Sequence, residues 1–509
     1  MAQNKERLTK AGDYNLDVAE ILSYRMTGGV PGQQQPYRVN ILPIITQIEI
    51  NEGIFNKSVL GRIQVYDTQD VRTVLPIVGL ERLNLKFHTP GLDGICAVAN
   101  EGHPFHIYKI DQVAPDSKAV AAGGQVYDIY FCSRESYFNL IRKVSKAYDG
   151  PVELGVEDIF KNRNYLNSKK NLYVEPTKYN TKMVMPNVRP FQAIDMLAKK
   201  AVSGLYENAG YLFYETKDGY NFRSIESLLA VAGSVARPAK FAYYYQMGSV
   251  RHPVFGSKDI VADMHGVYSW DLNRPSDTLN NLAEGGYASK LIEHDMFYKT
   301  INTTEYDYAK DFGNHFHTEH KWGNKSNDKT PLPKAKFDDT FKTLSQAYDQ
   351  KLMVKSHTSN IHDTAPTISD KHTTQKAISQ RQLLSVGQLE LNVPGNSALQ
   401  AGDIITFDMP IMQPTGHKKE IVSSPFWAGR YLIYEMKHII DRSKDTYSMI
   451  LKCCKDNVAK SYVAEYNSWT HSAPRRKTYN IYETDIEIIT RMGTNAQGLT
   501  TGQHKAFRT

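Results

Sequence analysis

Between Gln388 and Lys455, apolar residues recur at every second position in four successive runs: Leu389, Leu391 and Val393; Ile405, Phe407 and Met409; Leu432, Tyr434, Met436 and Ile440; Tyr447, Met449, Leu451 and Cys453. Side chains alternate across a strand, so this period demands antiparallel strands with one apolar face. The first two runs are joined by "VPGNSALQAGD". There Pro394 and Gly395 make a turn, Gly402 and Asp403 restart the next strand, and Ala398 and Leu399 cap a barrel edge. These four turn residues mark a compact structural connection, not a catalytic loop. The last two runs, "GRYLIYEMKHII" and "TYSMILKCC", flank the polar hairpin loop "DRSKD". A small antiparallel barrel or sandwich is expected, with a long excursion from Gln413 to Trp427.

The same pattern appears earlier. Ile44, Ile48 and Ile50 share one face, followed by Val59, Gly61, Ile63 and Val65, then Leu83, Leu85 and Phe87. Two more strands are predicted over Phe105 to Ile110 and Val126 to Cys132. In "YDTQDVRTVLPIVG", Asp67 is a candidate cap for one short helical turn that stops at Pro76 and Gly79. Residues 1–36, with "GGVPGQQQP", read as a flexible arm whose Leu16, Val18, Ile21 and Leu22 are available to dock on a neighbour. A helix capped by Ser133 is predicted through Tyr137, Leu140, Ile141, Val144 and Tyr148, ending at Asp149 and Gly150. Residues 37–150 thus form a first barrel with a packed helix.

An α+β insert is predicted over 151–238. It holds a short helix around Val156, Ile159 and Phe160 and a strand over Asn171 to Val174. In "NVRPFQAIDMLAKKAVS", Pro190 sits in a first helical turn and Phe191, Ile194, Leu197, Ala198 and Ala201 form the buried stripe. Two strands then turn at Lys217, Asp218 and Gly219. Strands return over 239–275, where Phe241, Tyr243, Tyr245 and Met247 alternate and Gly266 to Asp271 read as a second strand. A polar insert over 276–379, with helices near Phe337 to Met353 and Thr374 to Leu384, interrupts the barrel, which resumes over 380–460. The C-terminal extension, 461–509, ends in a polar stretch whose composition predicts no packed core. The fold class is therefore mainly β with α+β inserts: two antiparallel barrels, the second interrupted.

Composition narrows the partners. The chain of 509 residues carries 61 basic and 54 acidic residues, a net charge of +7, with no continuous basic tract. Nucleic acid is not the implied partner. Its 32 tyrosines outnumber its 19 phenylalanines, which suits half-buried strands and wet interfaces. Cys96, Cys132, Cys453 and Cys454 show no CxxC spacing and read as core thiols in a reducing compartment, with one of the adjacent pair at an edge. Leu228 to Ala236 is too short to span a bilayer and "MAQNKERLTKAGD" holds no apolar signal region. A soluble chain made in the cytosol, without membrane anchor, is expected.

Three places could hold chemistry. "HFHTEH" offers His315, His317, Glu319 and His320, but metalloprotease helices space their histidines as HExxH or HxxEH, and this run reads better as a solvated loop. Cys453 and Cys454 face opposite sides of a strand and cannot share one ion. Glu49 with Glu52, or Asp67 with Asp70, offer a carboxylate pair of the kind glycoside cleavage uses, but Asp67 is better used as a cap and acidic pairs in loops are commonly solvated. No GxSxG, phosphate loop or dinucleotide fingerprint appears. No catalytic, cofactor or metal residues are assigned.

Three stretches carry a family resemblance: "NEGIFNKSVLGRIQVYDTQDVRTVLPIVGLERLNLKFHTPG"; "NVRPFQAIDMLAKKAVS" followed by "GYLFYETKDGYNFRSIESLL"; and "LNVPGNSALQAGDIITFDMP" with "GRYLIYEMKHIIDRSKDTYSMILKC". In this order, over roughly residues 38–456, the chain resembles the baseplate hub proteins of contractile-tailed bacteriophages, relatives of the base of type VI secretion spikes. The resemblance implies two related tube-like barrels and a homotrimer in the virion tail baseplate, without cofactors. It also implies a symmetry adaptor between the hexameric tail tube, or tube-initiator proteins, and a trimeric central spike, with tape measure and baseplate wedge proteins as further contacts. A tail-associated peptidoglycan hydrolase and a carbohydrate-binding tail module are the competing readings. Because no motif brings nucleophile, base and metal together, purified chain should leave the turbidity of a cell-wall suspension unchanged. Clearing that is lost on substituting His315, His317 or Glu319 would establish the hydrolase instead.

Overall fold

The computed structural model describes residues 7–23, 37–68, 71–75, 77–98, 103–115, 124–231, 235–245, 260–274, 278–295, 299–311, 314–319, 330–331, 352–357, 373–384, 387–409, 424 and 427–458. The first barrel comprises β1 (Asn15–Ser23), β2 (Tyr37–Asn40), β3 (Ile45–Gly53), β4 (Leu60–Asp67), β5 (Arg82–His88), β6 (Ile95–Ala97), β7 (Phe105–Pro115) and β8 (Gln125–Cys132). Their order is β3-β4-β8-β7-β5-β1-β2, with β6 on β5. Ile48, Ile50, Ile63, Val65, Leu83, Leu85 and Phe87 are buried together, as alternation requires. A register shift between Ile45 and Gln47 puts Ile45, not the expected Ile44, on that face. Gly61 lies under the Phe131 ring, where an added Cβ would stand 2.1 Å from the ring.

The structure corrects three expectations. Residues 15–23 are no flexible arm: β1 pairs with both β5 and β2, and its Leu16, Ile21 and Leu22 are buried in their own chain. Asp67, read as the residue that opens the helical turn, is the last residue of β4 and accepts from the Tyr127 hydroxyl at 3.0 Å. The short helix α1 (Val71–Val74) comes after it; Asp70 lies outside the described residues. The helix after Ser133, α2 (Arg134–Ile141), ends early because Arg142 is extended and Val144 bridges Val188. Leu140 and Ile141 are left exposed, and Tyr148 falls on a strand.

The insert begins with that strand, β9 (Ala147–Pro151), then α3 (Val152–Lys161), β10 (Leu172–Val174), β11 (Asn180–Val184), α4 (Pro190–Ala198), β12 (Tyr211–Thr216), β13 (Gly219–Ser224), α5 (Ile225–Leu229), β14 (Ala230–Val231) and β15 (Val235–Ala236). Pro190 opens α4, and Phe191, Ile194, Leu197 and Ala198 pack with Val156, Ile159 and Phe160 of α3 against Phe213 and Phe222. The β12–β13 hairpin turns at Lys217 and Asp218, with Gly219 at φ +130°.

The second barrel opens with β16 (Phe241–Tyr244), α6 (Ile260–Met264) and β17 (Ser269–Arg274). It is then interrupted by α7 (Thr278–Ala283), β18 (Ala288–Asp295), β19 (Thr300–Asp307), α8 (Tyr308–Asp311), β20 (Thr330–Pro331), β21 (Leu352–His357) and α9 (Thr374–Leu384). The sheet β19-β18-β21 was not anticipated, and Met353, expected at a helix end, lies in β21. The barrel resumes with β22 (Gly387–Pro394), β23 (Ile404–Asp408), β24 (Gly429–Asp441) and β25 (Thr446–Lys455); β26 (Asn457–Val458) pairs with β20. The strand before the interruption does pair with one after it: Phe241 stands opposite Ile405 and Tyr243 opposite Phe407. That pair is parallel, which departs from an all-antiparallel barrel. A bridge between Tyr244 and Gly266 closes the ring of β17-β22-β25-β24-β23-β16.

The two barrels repeat one strand order, with the first strand reversed: β1 is antiparallel to β5, whereas β16 is parallel to β23. In chain order β1, β3, β4, β5, β7 and β8 correspond to β16, β17, β22, β23, β24 and β25, and their spatial orders match, β3-β4-β8-β7-β5-β1 against β17-β22-β25-β24-β23-β16. They are also joined. The first part of β24 pairs with β23 through Leu432; a register shift comes between Ile433 and Glu435; the rest, Glu435 to Asp441, pairs with β3 from Gly53 to Gln47. One sheet and one continuous core therefore run through both barrels. Because Phe241 is fully buried where the interrupted barrel closes, Phe241→Ala should cost about 3–5 kcal/mol in denaturant unfolding. A cost below about 1 kcal/mol would place the closure elsewhere.

Candidate functional site

The loop from Pro394 to Asp403 sits where barrels and insert meet. Gly395 donates its N–H to the Tyr447 carbonyl at 2.8 Å, and a Cβ there would stand 2.0 Å from the Tyr447 ring. Thr89 and Ser397 bond reciprocally, each backbone N–H to the other's hydroxyl, at 2.9 and 3.1 Å, and Ser397 Oγ donates to the Asp93 carbonyl at 2.7 Å. These bonds fasten the loop of the second barrel to the first. Leu399 is fully buried in the shared core, deeper than an edge cap. Gly402 adopts φ +93° with the Tyr214 hydroxyl and Leu228 of the insert against it, and Asp403 Oδ2 accepts from Gln400 N and Lys240 Nζ, both at 2.9 Å.

The histidine run is buried, not solvated. His315 places Nδ1 2.7 Å from Glu226 Oε1 and Nε2 2.9 Å from Asp311 Oδ2, with Lys376 Nζ 3.1 Å from the same Asp311 oxygen. Burial alone would lower its pKa, but the two hydrogen-bonded carboxylates outweigh that and raise it to about 9. His317 Nδ1 lies 2.6 Å from Asp456 Oδ2, and Glu319 Oε1 meets Lys455 Nζ at 2.8 Å. The run thus ties the second insert to α5 and to the end of β25; His320 lies outside the described residues. Among the described residues no group of three His, Cys, Asp or Glu side chains is arranged to hold a metal ion. Asp311 was missed from sequence, although its place four residues before His315 was a local signal for it. Glu226 and Asp456, 89 and 139 residues away, gave no such signal.

The carboxylates considered as a pair serve separately. Glu49 bonds Arg62 and Lys437 at 2.9 Å each, and although burial opposes it, these cations hold Glu49 below the usual carboxylate range. Glu52 is buried, with burial pushing it up to about 8; Oε1 lies 3.9 Å from His438 Nε2. A second buried cluster was missed from sequence: Lys170 lies between Glu135 and Glu215, and Glu215 Oε2 accepts the Val59 N–H at 2.8 Å, seating the insert on the first barrel. Cys453 and Cys454 do face opposite ways, but neither is at an edge. Cys453 belongs to the barrel core and Cys454 to the core beneath the insert. A groove of about 1050 Å³ opens between α4 and α9, lined by Phe55, Met196, Tyr211, Ile378 and Arg381. No described helix is long and apolar enough to cross a membrane.

No protein-family model matches the chain. It is 18% identical over 284 residues to the probable baseplate hub protein gp334 of Vibrio phage KVP40, covering 55% of this chain and 60% of that protein. Among solved structures it is similar to a tail protein from Neisseria meningitidis MC58 (10% identity, TM-score 0.45, 86% of this chain and 97% of that one). The 43 kDa tail protein of prophage MuSo2 from Shewanella oneidensis is 8% identical with a TM-score of 0.45, covering 86% of this chain and 98% of that one. An Escherichia coli type VI secretion component is 10% identical with a TM-score of 0.36, covering 85% of this chain and 78% of that one.

This geometry sets two expected outcomes. Gly395→Ala should lower stability by about 1–3 kcal/mol, read as a fall in Tm, because the Tyr447 ring has nowhere to retreat in a packed core; an unchanged Tm would show the loop to be loosely seated. For His315 the folded pKa exceeds the unfolded value, so its stabilisation is complete below pH 6.5 and is lost as pH rises through about 9. The stability difference between wild type and His315→Gln, measured by urea titration, should therefore shrink between pH 6.5 and 9.5. A difference that stays constant across that window would contradict the charged histidine.

Proposed function

We propose that this protein is the central hub of a contractile phage tail baseplate, a structural protein with no enzymatic role. It assembles as a homotrimer that joins a hexameric tail tube to a trimeric central spike. The observation that carries the reading is the repetition of one strand order twice within a single continuous sheet. Three such chains place six similar barrels around one channel, so one face offers quasi-sixfold and the other true threefold symmetry. The similarity to a hub protein of a Vibrio phage and the three sequence stretches that resemble the hub family support this assignment. The chain spans about 60% of that relative's length, so partners at the spike, tube, tape measure and wedge are part of the proposal. The buried contacts of His315 and His317 with their carboxylates act as fastenings between modules, and the work of the protein lies in its surfaces.

Native mass spectrometry should give three times the 57.7 kDa chain mass, and cryo-electron microscopy of the virion should show six barrel densities from three chains in the baseplate hub. Six copies there, or barrels lying outside a common ring, would refute the assignment.

A further inference from the structure

The groove between α4 and α9 is where the two inserts face each other across an apolar floor. Leu212, Ile225 and Cys454 of that floor belong to the core beneath the first insert, and Tyr434 packs against the same core. Phe55 at its side is 42% exposed, and Ile378 on α9 is half-buried. Apolar surface gathered in one concavity marks a place that receives another segment or molecule.

The rim is basic. Among the described residues that line the groove, Lys57, Lys199, Lys200 and Arg381 are cationic and Asp195 is the one acid. Asp195 is in a salt bridge with Lys57, and the Arg381 guanidinium lies 5.4 Å from the centre of the Phe55 ring. Lys199, just past α4, and Arg381, on α9, are both exposed. A fitting occupant combines apolar side chains with several negative charges, because charge complementarity selects among partners that all offer apolar area.

The chain contains such a segment. Its C-terminal extension, 461–509, lies outside the described residues and carries four acids in all. Three of them, Glu483, Asp485 and Glu487, fall together and are interleaved with Tyr482, Ile486 and Ile488. By contrast Phe337 to Phe341, with Asp338 and Asp339, lies among Lys334, Lys336 and Lys342, which cancel its charge. The tether is long enough. Cys454 lines the groove, and Val458, the last described residue, is at most about 14 Å from it. The 22 residues from 459 to 480 can span roughly 70 Å. Tethering also gives a segment an effective concentration on the order of millimolar at its own groove, so individually weak contacts suffice.

We infer that residues 481–489 dock in the groove between α4 and α9 of their own chain, with isoleucines on the apolar floor and Glu483, Asp485 and Glu487 toward the basic rim. So seated, the segment touches the first insert through α4 and the second through α9 and straps the two modules together. The contact lies within one chain and does not depend on the number of copies in the hub.

The test treats the full-length chain with a carbodiimide, which joins a lysine amine directly to a carboxylate in contact with it, and maps the joined peptides by mass spectrometry. Lys57, Lys199 or Lys200 should be joined to Glu483, Asp485 or Glu487, in peptides recovered from the band of single-chain mass. Their yield should fall several-fold at high salt. Hydrogen exchange of the amides of 481–489 should be several-fold slower than in a synthetic peptide of the same sequence. Reversing the rim at two exposed positions, Lys199→Glu with Arg381→Glu, should abolish that slowing, and adding Glu483→Lys, Asp485→Lys and Glu487→Lys should restore it. Amides that exchange as fast as in the free peptide overturn the proposal. Slow exchange that is indifferent to the rim reversal places the segment elsewhere, and joined peptides recovered only from a band of double mass show that it crosses to another copy. Either result overturns docking in the chain's own groove.

Discussion

The architecture depends on what β24 does with one edge. Over its first residues that edge belongs to β23 and closes the second barrel; past the register shift at Ile433 to Glu435 it belongs to β3 and starts the first. A bulge bends a strand and raises its local twist, which lets one strand leave one barrel wall and enter another without interrupting its pairing with β25. The joint is made of main-chain hydrogen bonds, and the side chains on its inner face, Met436, His438 and Ile440 with Ile48 and Ile50, complete a core common to both barrels. Barrels held by side chains alone would slide. These are held in register.

Around that joint the other modules are pinned by buried polar contacts as well as by the apolar core that Leu212, Ile225 and Leu228 share with Ile404 and Leu432. Lys170 between Glu135 and Glu215 seats the insert on the first barrel, and His315 and His317 with their carboxylates seat the polar insert. Breaking such a pair leaves an uncompensated charge, so it enforces one arrangement more than it adds stability. The aromatic contact of Phe87 from β5 with His438 and Tyr447 from the β24–β25 hairpin adds a directional apolar clasp across the seam.

Much of this was legible in the chain. Period-two runs located β3, β4, β5, β7, β8 and the strands from Gly387 to Lys455, and helical spacing with Pro190 located α4, because each signal is local and repeats several times. The features that escaped involve distance or interruption. One bulge exchanged Ile44 for Ile45, and another put Leu432 and Met436, read as one face, into different cores, while Tyr431, Leu432 and Ile433 are all buried because both faces of β24 are covered there. Leu16 and Ile21 sit beside a Gly- and Gln-rich stretch that masked a short strand needing β5 as its partner. The histidines looked solvated because the acids that neutralise them come from α5 and from beyond β25. Two related barrels were expected; what escaped was their alignment residue by residue, since it resides in strand order and in a few aligned residues such as Cys132 and Cys454, not in a repeated motif.

The adjacent cysteines lie at the end of β25, where both faces of the strand are covered. Cys453 looks into the barrel and Cys454 into the core beneath the insert, so a single layer of backbone is the floor of one compartment and the ceiling of another. The insert is therefore no appendage hung on a wall: tilting it means deforming the wall itself. Force applied to that module travels through one peptide layer into the core of the second barrel.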